Sequence, residues 1–173
     1  MIPQATIQET TLSLLEEYVG CACVPSNTTK EMPAYPYISF SVLNTTIQKG
    51  TYAAATAEKD GEKVDVLFKP VLQKWSFTAQ SKDEAEAYEK AMLITDFFAE
   101  VKRHELAANG IIVADVGAIT PRDNLLTVEY EYRRGLDVTL RLNNVIETTT
   151  KETIDNVTLS NDMLGDISFL EQE

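Results

Sequence analysis

The sequence is poor in the side chains from which most catalytic and metal sites are built. Among 173 residues there is one histidine, His104, and there are two cysteines, Cys21 and Cys23. The cysteine pair lacks the two-residue gap of a structural zinc site, and no second Cys or His pair exists to complete a tetrahedral set of ligands. His104 follows two basic residues at a predicted helix end, where positive charge complements the helix dipole. We therefore predict no metal site and a solvent-facing His104.

Phosphate-binding loops and membrane-spanning runs are also missing. The seven glycines are scattered, so no glycine-rich loop could cradle a phosphate. No apolar run approaches the roughly 20 residues that cross a bilayer, and polar residues interrupt the first 20 positions, unlike a secretory signal. We expect no cofactor, no catalytic residues, no membrane contact and synthesis in the cytosol. A small enzyme that uses carboxylates alone stays open as an alternative.

Positive charge is scarce as well. The chain has 27 acidic and 15 basic residues and a formal net charge of -12. Such a chain repels DNA and anionic membranes, so a sequence-general grip on nucleic acid is disfavoured. At 44% hydrophobic residues the chain can nevertheless build a core for one domain. These properties favour one compact domain that does not hold nucleic acid by charge.

Apolar residues at helical spacing predict two helices. The first spans residues 6–19, with a capping box at Thr6 and a left-handed stop at Gly20. The second begins at a capping box that opens with Ser81 and is the longer helix. Its apolar stripe steps by four and three residues, through Ala87, Ala91, Ile94, Phe98 and Val101.

Alternating apolar and polar residues predict strands before and after the long helix. The clearest alternations run through Ile38, Phe40 and Val42, through Trp75, Phe77 and Ala79, and through Leu126, Val128, Tyr130, Tyr132, Leu136, Val138, Leu140 and Leu142. Pro70 should occupy an edge or a bulge. Residues 48–63, with a turn at Asp60 and Gly61, predict an extended β-hairpin arm or a mobile loop. The order predicts an α+β fold, with an antiparallel or mixed β-sheet packed by two helices.

The C-terminal segment differs from the rest of the chain. After Lys151 there is no basic residue, and six acidic residues alternate with spaced apolar ones. We therefore divide the chain into an α+β domain at residues 1–150 and an acidic C-terminal segment at residues 151–173. The segment is expected to dock on a neighbouring subunit.

Three stretches carry a resemblance to a known family. They are PYISFSVLN, QKWSFTAQSKDEAEAYEKAMLITDFF and LLTVEYEYRRGLDVTLRL, and they follow one another between Pro36 and Leu142. In this order and spacing the chain resembles the tail-terminator or neck-terminator proteins of tailed phages, also called tail completion proteins. The closest pieces are residues 75–81, which lead into the serine-capped helix, and residues 132–142, which carry arginine before an Asp-Val-aliphatic run.

The resemblance implies a structural virion protein and no enzymatic activity. Proteins of this kind form a six-membered ring on the last ring of the tail tube, stop its growth and present a surface to the head connector. The implied partners are other copies of this chain, the tail-tube protein, the head-tail connector and, in a contractile tail, the sheath. Assembly would take place in the host cytoplasm. Six copies would carry six times -12, a formal charge of -72, so DNA would only pass through an acidic lumen.

A closed ring needs two different contact patches on each subunit. The predicted arm around Tyr52 is one candidate, and the basic pair Arg133 and Arg134 is another. The pair could bind a neighbour's acidic surface or close a twisted hairpin within the chain. The candidates in the C-terminal segment are Met163, Ile167 and Leu170. The alternative functions are an acidic DNA mimic that inhibits a DNA-binding enzyme, and another neck or adaptor protein of the same particle.

Overall fold

A computed structural model describes most of the chain. The described residues are 2–29, 31–47, 53–59, 62–125, 130–149, 158–159 and 167–168.

The first helix, α1, spans Gln4–Val19 and ends at Gly20, whose φ of 70° is left-handed as predicted. Its start differs from the prediction. Pro3 precedes the first turn, no side chain caps it, and Thr6 lies inside the helix. The predicted capping box at Thr6 is therefore wrong. Proline suits this position because the first helical N–H groups have no partner within the helix in any case.

The second helix, α2, spans Glu84–Asp96. Asp83, not Ser81, occupies the N-cap, and its carboxylate accepts a hydrogen bond of 2.9 Å from the backbone N–H of Glu86. The predicted cap is thus wrong by two residues. Ser81 still orders this corner, because its hydroxyl accepts from the N–H of Asp83 at 3.0 Å and donates to the carboxylate of Glu86.

A π-helical turn, Phe97–Val101, follows α2 directly and leads into α3, which spans Arg103–Ala108. The wider turn places two consecutive residues, Phe97 and Phe98, in the core, with ring centroids 4.8 Å apart in an edge-to-face arrangement. It also shifts the helical register. Val101 is exposed as a result, so its predicted place in the apolar stripe is wrong, whereas Ala87, Ala91, Ile94 and Phe98 are fully buried.

Strands precede and follow this helical segment along the chain. They are β1 Cys23–Pro25, β2 Tyr37–Ile47, β3 Ala53–Lys59, β4 Glu62–Ser81, β5 Ile112–Val116, β6 Thr120–Pro121, β7 Asn124–Leu125, β8 Tyr130–Thr149, β9 Thr158–Leu159 and β10 Ile167–Ser168. In the main sheet the order is β1-β2-β4-β8-β5, with β3 beside β4 and with β6 and β7 beside β8. Only β1 and β2 run parallel among these described pairs. The predicted α+β fold with a mixed sheet is confirmed.

The core lies between one face of the sheet and the helices. Trp75 and Phe77 of β4 face this layer, opposite Val138 and Leu136 of β8, and all four are fully buried. The Phe77 ring packs on Phe98 with ring centroids 5.1 Å apart. The strand alternation predicted from the sequence therefore places the apolar side chains on the helix-covered face.

The two longest strands continue past the helix layer and form an arm. We define the arm as residues 53–59, 62–70 and 143–149, where β3, the first half of β4 and the end of β8 pair as three antiparallel strands. The nine residues of β4 in the arm span roughly 30 Å at the usual rise of a strand. Of the two predicted alternatives for this region, the hairpin is the one observed. Tyr52 and the predicted turn at 60–61 lie outside the described residues.

Pro70 lies where the arm meets the body of the sheet. Along one side of β4, pairing with β2 ends at Val71 and pairing with β3 begins at Phe68. Within the described residues, Lys69 and Pro70 therefore have β8 as their only neighbouring strand. This position matches the predicted local edge, where a residue without an N–H group is tolerated.

Candidate functional site

Arg134 holds three elements together. Its side chain is largely buried, and its guanidinium bonds the carboxylate of Glu84 at 2.5 Å and the carboxylate of Asp123. Glu84 belongs to the first turn of α2, and Asp123 lies between β6 and β7. A guanidinium can bind two carboxylates at once because its donors are arranged as a planar fork. Arg134 therefore connects β8 to the helix layer and to the 122–123 loop.

Arg133 points to the other face of the sheet and is partly exposed. Its backbone N–H donates to Asp123 at 2.8 Å, and its guanidinium pairs with Glu131. Both arginines of the predicted pair thus have acidic partners within the chain. Their contact with a neighbouring subunit remains a prediction.

A second arginine cluster, which the sequence analysis missed, lies on the sheet face without helices. Arg122 donates to the hydroxyl of Ser76 at 2.6 Å and to the hydroxyl of Thr78 at 3.1 Å. It also pairs with Asp137 at 2.9 Å, and Lys74 reaches the same carboxylate at 3.0 Å. Burial alone would raise the pKa of Asp137, but the hydrogen bonds from Arg122, Lys74 and Ser76 outweigh it and lower the pKa to about 2.

Gly135 makes this cluster possible. A Cβ atom at position 135 would lie 2.5 to 2.6 Å from three atoms of the Arg122 side chain. The guanidinium can therefore cross the strand only because the residue beneath it has no side chain. A glycine in the middle of an alternating strand is the signal by which the sequence could have revealed a close approach here.

Hydrogen bonds also connect the aromatic side chains at the far end of this face. Tyr35 donates to Glu131 at 2.6 Å, and Tyr37 donates to Gln80 at 2.6 Å. The hydrogen bond to Glu131, with a smaller contribution from burial, raises the pKa of Tyr35 to about 12. Gln80 in turn donates to Ser39 at 2.6 Å. We refer to this surface and the Arg122 cluster together as the polar face, and its side chains are fixed by internal bonds.

His104 and the two cysteines are the side chains of this chain most suited to catalysis or metal binding, and within the described residues they are not arranged for either. His104 is exposed. Cys21 and Cys23 are free, and burial raises the pKa of both thiols, which keeps them protonated and poorly nucleophilic. Among the described residues, no three His, Cys, Asp or Glu side chains are grouped so that they could hold a metal ion.

Membrane insertion by a helix finds no candidate either. None of the helices in the described part of the chain has the length and apolar character required to span a bilayer.

Large apolar side chains are exposed at several places in the described part of the chain, among them the arm and α2. On the arm, Phe68 is 37% exposed and Ile146 is 40% exposed. On α2, Tyr88 is 52% exposed and Met92 is 39% exposed. Exposed apolar groups of this kind often mark contacts with other proteins.

The predicted contact residues of the C-terminal segment fall mostly outside the described part of the chain. Met163 and Leu170 are not described. Ile167 belongs to β10, where its backbone is paired with Leu159 of β9 in a two-stranded antiparallel sheet. Docking of this segment remains a prediction.

Comparison with known proteins gives one family. The model of a family described as "Phage neck terminator protein" matches residues 9–166, which is most of the chain. A search of curated proteins finds no match.

Proposed function

The chain belongs to the phage neck terminator family, and we propose on this premise that it forms a six-membered ring that caps the tail tube. The ring would end tail polymerisation and join the tail to the head connector. The family is a structural one, so the chain is a structural protein of the phage neck. As a neck protein it is part of the virion, and we propose that it assembles in the host cytoplasm.

The observation that carries the ring is the arm. A three-stranded sheet needs a second layer to bury its apolar side chains, and none of the described arm residues belongs to the hydrophobic core that packs under the helices. Phe68 and Ile146 accordingly remain exposed there. Contact with a neighbouring subunit would supply the missing layer. An arm on one part of the chain and its acceptor on another make a head-to-tail contact, which is the kind that closes rings.

The charge supports the same function. Six subunits would carry -72, six times the formal charge of -12. An acidic lumen repels phosphates, so DNA could pass through the ring without adhering to its wall. In this proposal DNA is not a ligand. The binding partners are the tail-tube protein, the head-tail connector and, in a contractile tail, the sheath.

The polar face suits a static contact with one of these proteins. Its arginines and carboxylates already bond one another, so docking would require little side-chain ordering. The same pairing weakens the alternative of a DNA mimic. Glu84, Asp123, Glu131 and Asp137 each pair with an arginine of the same chain. A mimic would need rows of free carboxylates at phosphate-like spacing.

The proposal is tested by assembling particles without this protein. We expect tails of irregular length, or tails that fail to join heads, because nothing stops the tube or completes the neck. Electron microscopy of the particles measures both tail length and head attachment. Supplying the protein from a second gene copy should restore uniform, joined tails. Normal joined particles in its absence would refute the proposal.

A further inference from the structure

The ion pairs of the polar face present their cations to solvent and hold their carboxylates beneath. The side chains of Lys74 and Arg122 are 44% and 34% exposed, and Asp137, to which both bond, is 25% exposed. Arg133 is partly exposed, whereas its partner Glu131 is buried. The charge that another protein would meet on this surface is therefore mainly positive.

Three further charged residues belong to the polar face. Arg141 is exposed and lies on the same side of β8 as Asp137, because β8 pairs with β4 without a bulge and alternate residues share a face. The ammonium of Lys82 lies 5.9 Å from the centre of the Tyr35 ring. Asp115 borders the cavity at the arginine cluster of this face. Within the described residues the polar face thus has five basic and three acidic side chains, a net charge of +2 in a chain with a net charge of -12. They are Lys74, Lys82, Arg122, Arg133 and Arg141, against Asp115, Glu131 and Asp137.

The outward surface of α1 and α2, which we call the helix surface, has the opposite charge. The two helices contain seven acidic residues and one lysine, a net charge of -6. Six of the seven acidic residues are exposed, including Glu84, which also bonds Arg134. The lysine, Lys90, is turned towards α1, where its ammonium donates to the carbonyl of Val19 at 2.8 Å. The exposed acidic residues are Glu9, Glu16, Glu17, Glu84, Glu89 and Asp96.

Tyr88 and Met92 give the helix surface an apolar centre. They are exposed and lie in one row along α2, with Glu84 four residues before Tyr88 and Asp96 four residues after Met92. An aromatic or methionine centre within a charged rim is typical of protein interfaces. The face of a tyrosine ring also attracts guanidinium and ammonium groups, and the polar face supplies both.

We propose that the helix surface of one copy docks on the polar face of the next copy around the ring. This inference rests on the proposed ring and identifies two surfaces that meet at each subunit boundary. Copies of a chain with a charge of -12 repel each other overall, so contact is most favourable where one of the two surfaces is positive.

The positions of the two surfaces suit a ring. The helices cover one side of the sheet and the polar face is the other side, so each subunit turns a different surface to each neighbour, as a head-to-tail contact requires. The tail-tube protein and the head-tail connector are the rival occupants of the polar face. A neighbouring copy is favoured because one contact then covers both surfaces.

The test uses two charge-reversal variants of the full chain, Arg141→Glu on the polar face and Glu89→Lys on the helix surface. Each brings like charges together, so each should raise the concentration needed for ring assembly at least about tenfold. Native mass spectrometry measures this, with tail-tube protein added if the parent chain forms rings only on the tube. An equimolar mixture should assemble like the parent, as a ring in which the two variants alternate, because the reversed face of one then meets the reversed surface of the other. Isotopic labelling of one variant gives the composition of that ring.

Lys102→Glu and Glu105→Lys are the matched controls. They change the net charge by the same amounts, and this ion pair lies on α3, outside both surfaces. Both controls should form rings like the parent chain, and all four variants should match the parent in circular dichroism and thermal unfolding.

Three results would contradict the inference or its premise. Test variants that assemble like the controls, or a mixture that assembles no better than either variant alone, would overturn this docking and leave the proposed function intact. If Arg141→Glu forms rings normally but no longer binds the tube protein, the polar face belongs to the tube contact and the inference is wrong. A parent chain that stays monomeric with and without the tube would overturn the proposed function itself.

Discussion

Replacement of Trp75 by alanine is expected to lower the free energy of unfolding by about 3–5 kcal/mol, as for other large aromatic residues removed from cores. Trp75 is fully buried between Phe40 and Phe77, with ring centroids 6.2 and 6.1 Å away. Its indole N–H donates to Gln73 at 3.0 Å. The substitution would leave a cavity at the centre of the sheet and an acceptor without its donor. Urea denaturation followed by circular dichroism measures the loss.

Two further variants define what the result means. Trp75→Phe retains most of the apolar volume and should be clearly less destabilising than Trp75→Ala. Met32→Ala removes an exposed side chain and should change stability by less than about 0.5 kcal/mol. A loss below about 1 kcal/mol for Trp75→Ala would contradict the burial of this side chain under the helices.

Replacement of Gly135 by alanine is expected to cost about 1–3 kcal/mol, because the added methyl group would overlap the Arg122 side chain. The overlap involves the atoms Nε, Cδ and Cζ of Arg122. Displacing this side chain would break its bonds to Ser76, Thr78 and Asp137. In a strand interior alanine is otherwise preferred to glycine, so a loss of stability would identify the close approach as the cause.

A double-mutant cycle isolates this cause. In an Arg122→Ala background the methyl group has room, and Gly135→Ala should then cost less than about 0.5 kcal/mol or become stabilising. Chemical denaturation of the parent chain, the two single variants and the double variant gives the coupling free energy. Equal costs of Gly135→Ala in both backgrounds would show that Arg122 does not cross the strand at this position.

Most of the fold could be predicted from the sequence, because it follows from short-range patterns. The alternation around Trp75 and Phe77 correctly identified the face of β4 that packs against the helices. The spacing of Ala87, Ala91 and Ile94 correctly identified the buried stripe of α2. The π-helical turn could not be predicted in this way, since it depends on fitting both Phe97 and Phe98 into one core.

The helix starts and the partners of Arg134 show a second limit. At both helix starts the N-cap residue differs from the Ser or Thr predicted from the sequence. It is Pro3 at α1 and Asp83 at α2. The partners of Arg134, Glu84 and Asp123, are 50 and 11 residues away in sequence. Pairing over such distances depends on tertiary structure, so the sequence pointed to the arginine pair but not to what it binds.

Native mass spectrometry of the purified chain over a range of concentrations, with and without tail-tube protein from the same particle, tests the central claim most directly. The proposed ring predicts a closed hexamer, formed by the chain alone or only on the tube. A chain that stays monomeric at every concentration and ignores the tube protein would contradict it.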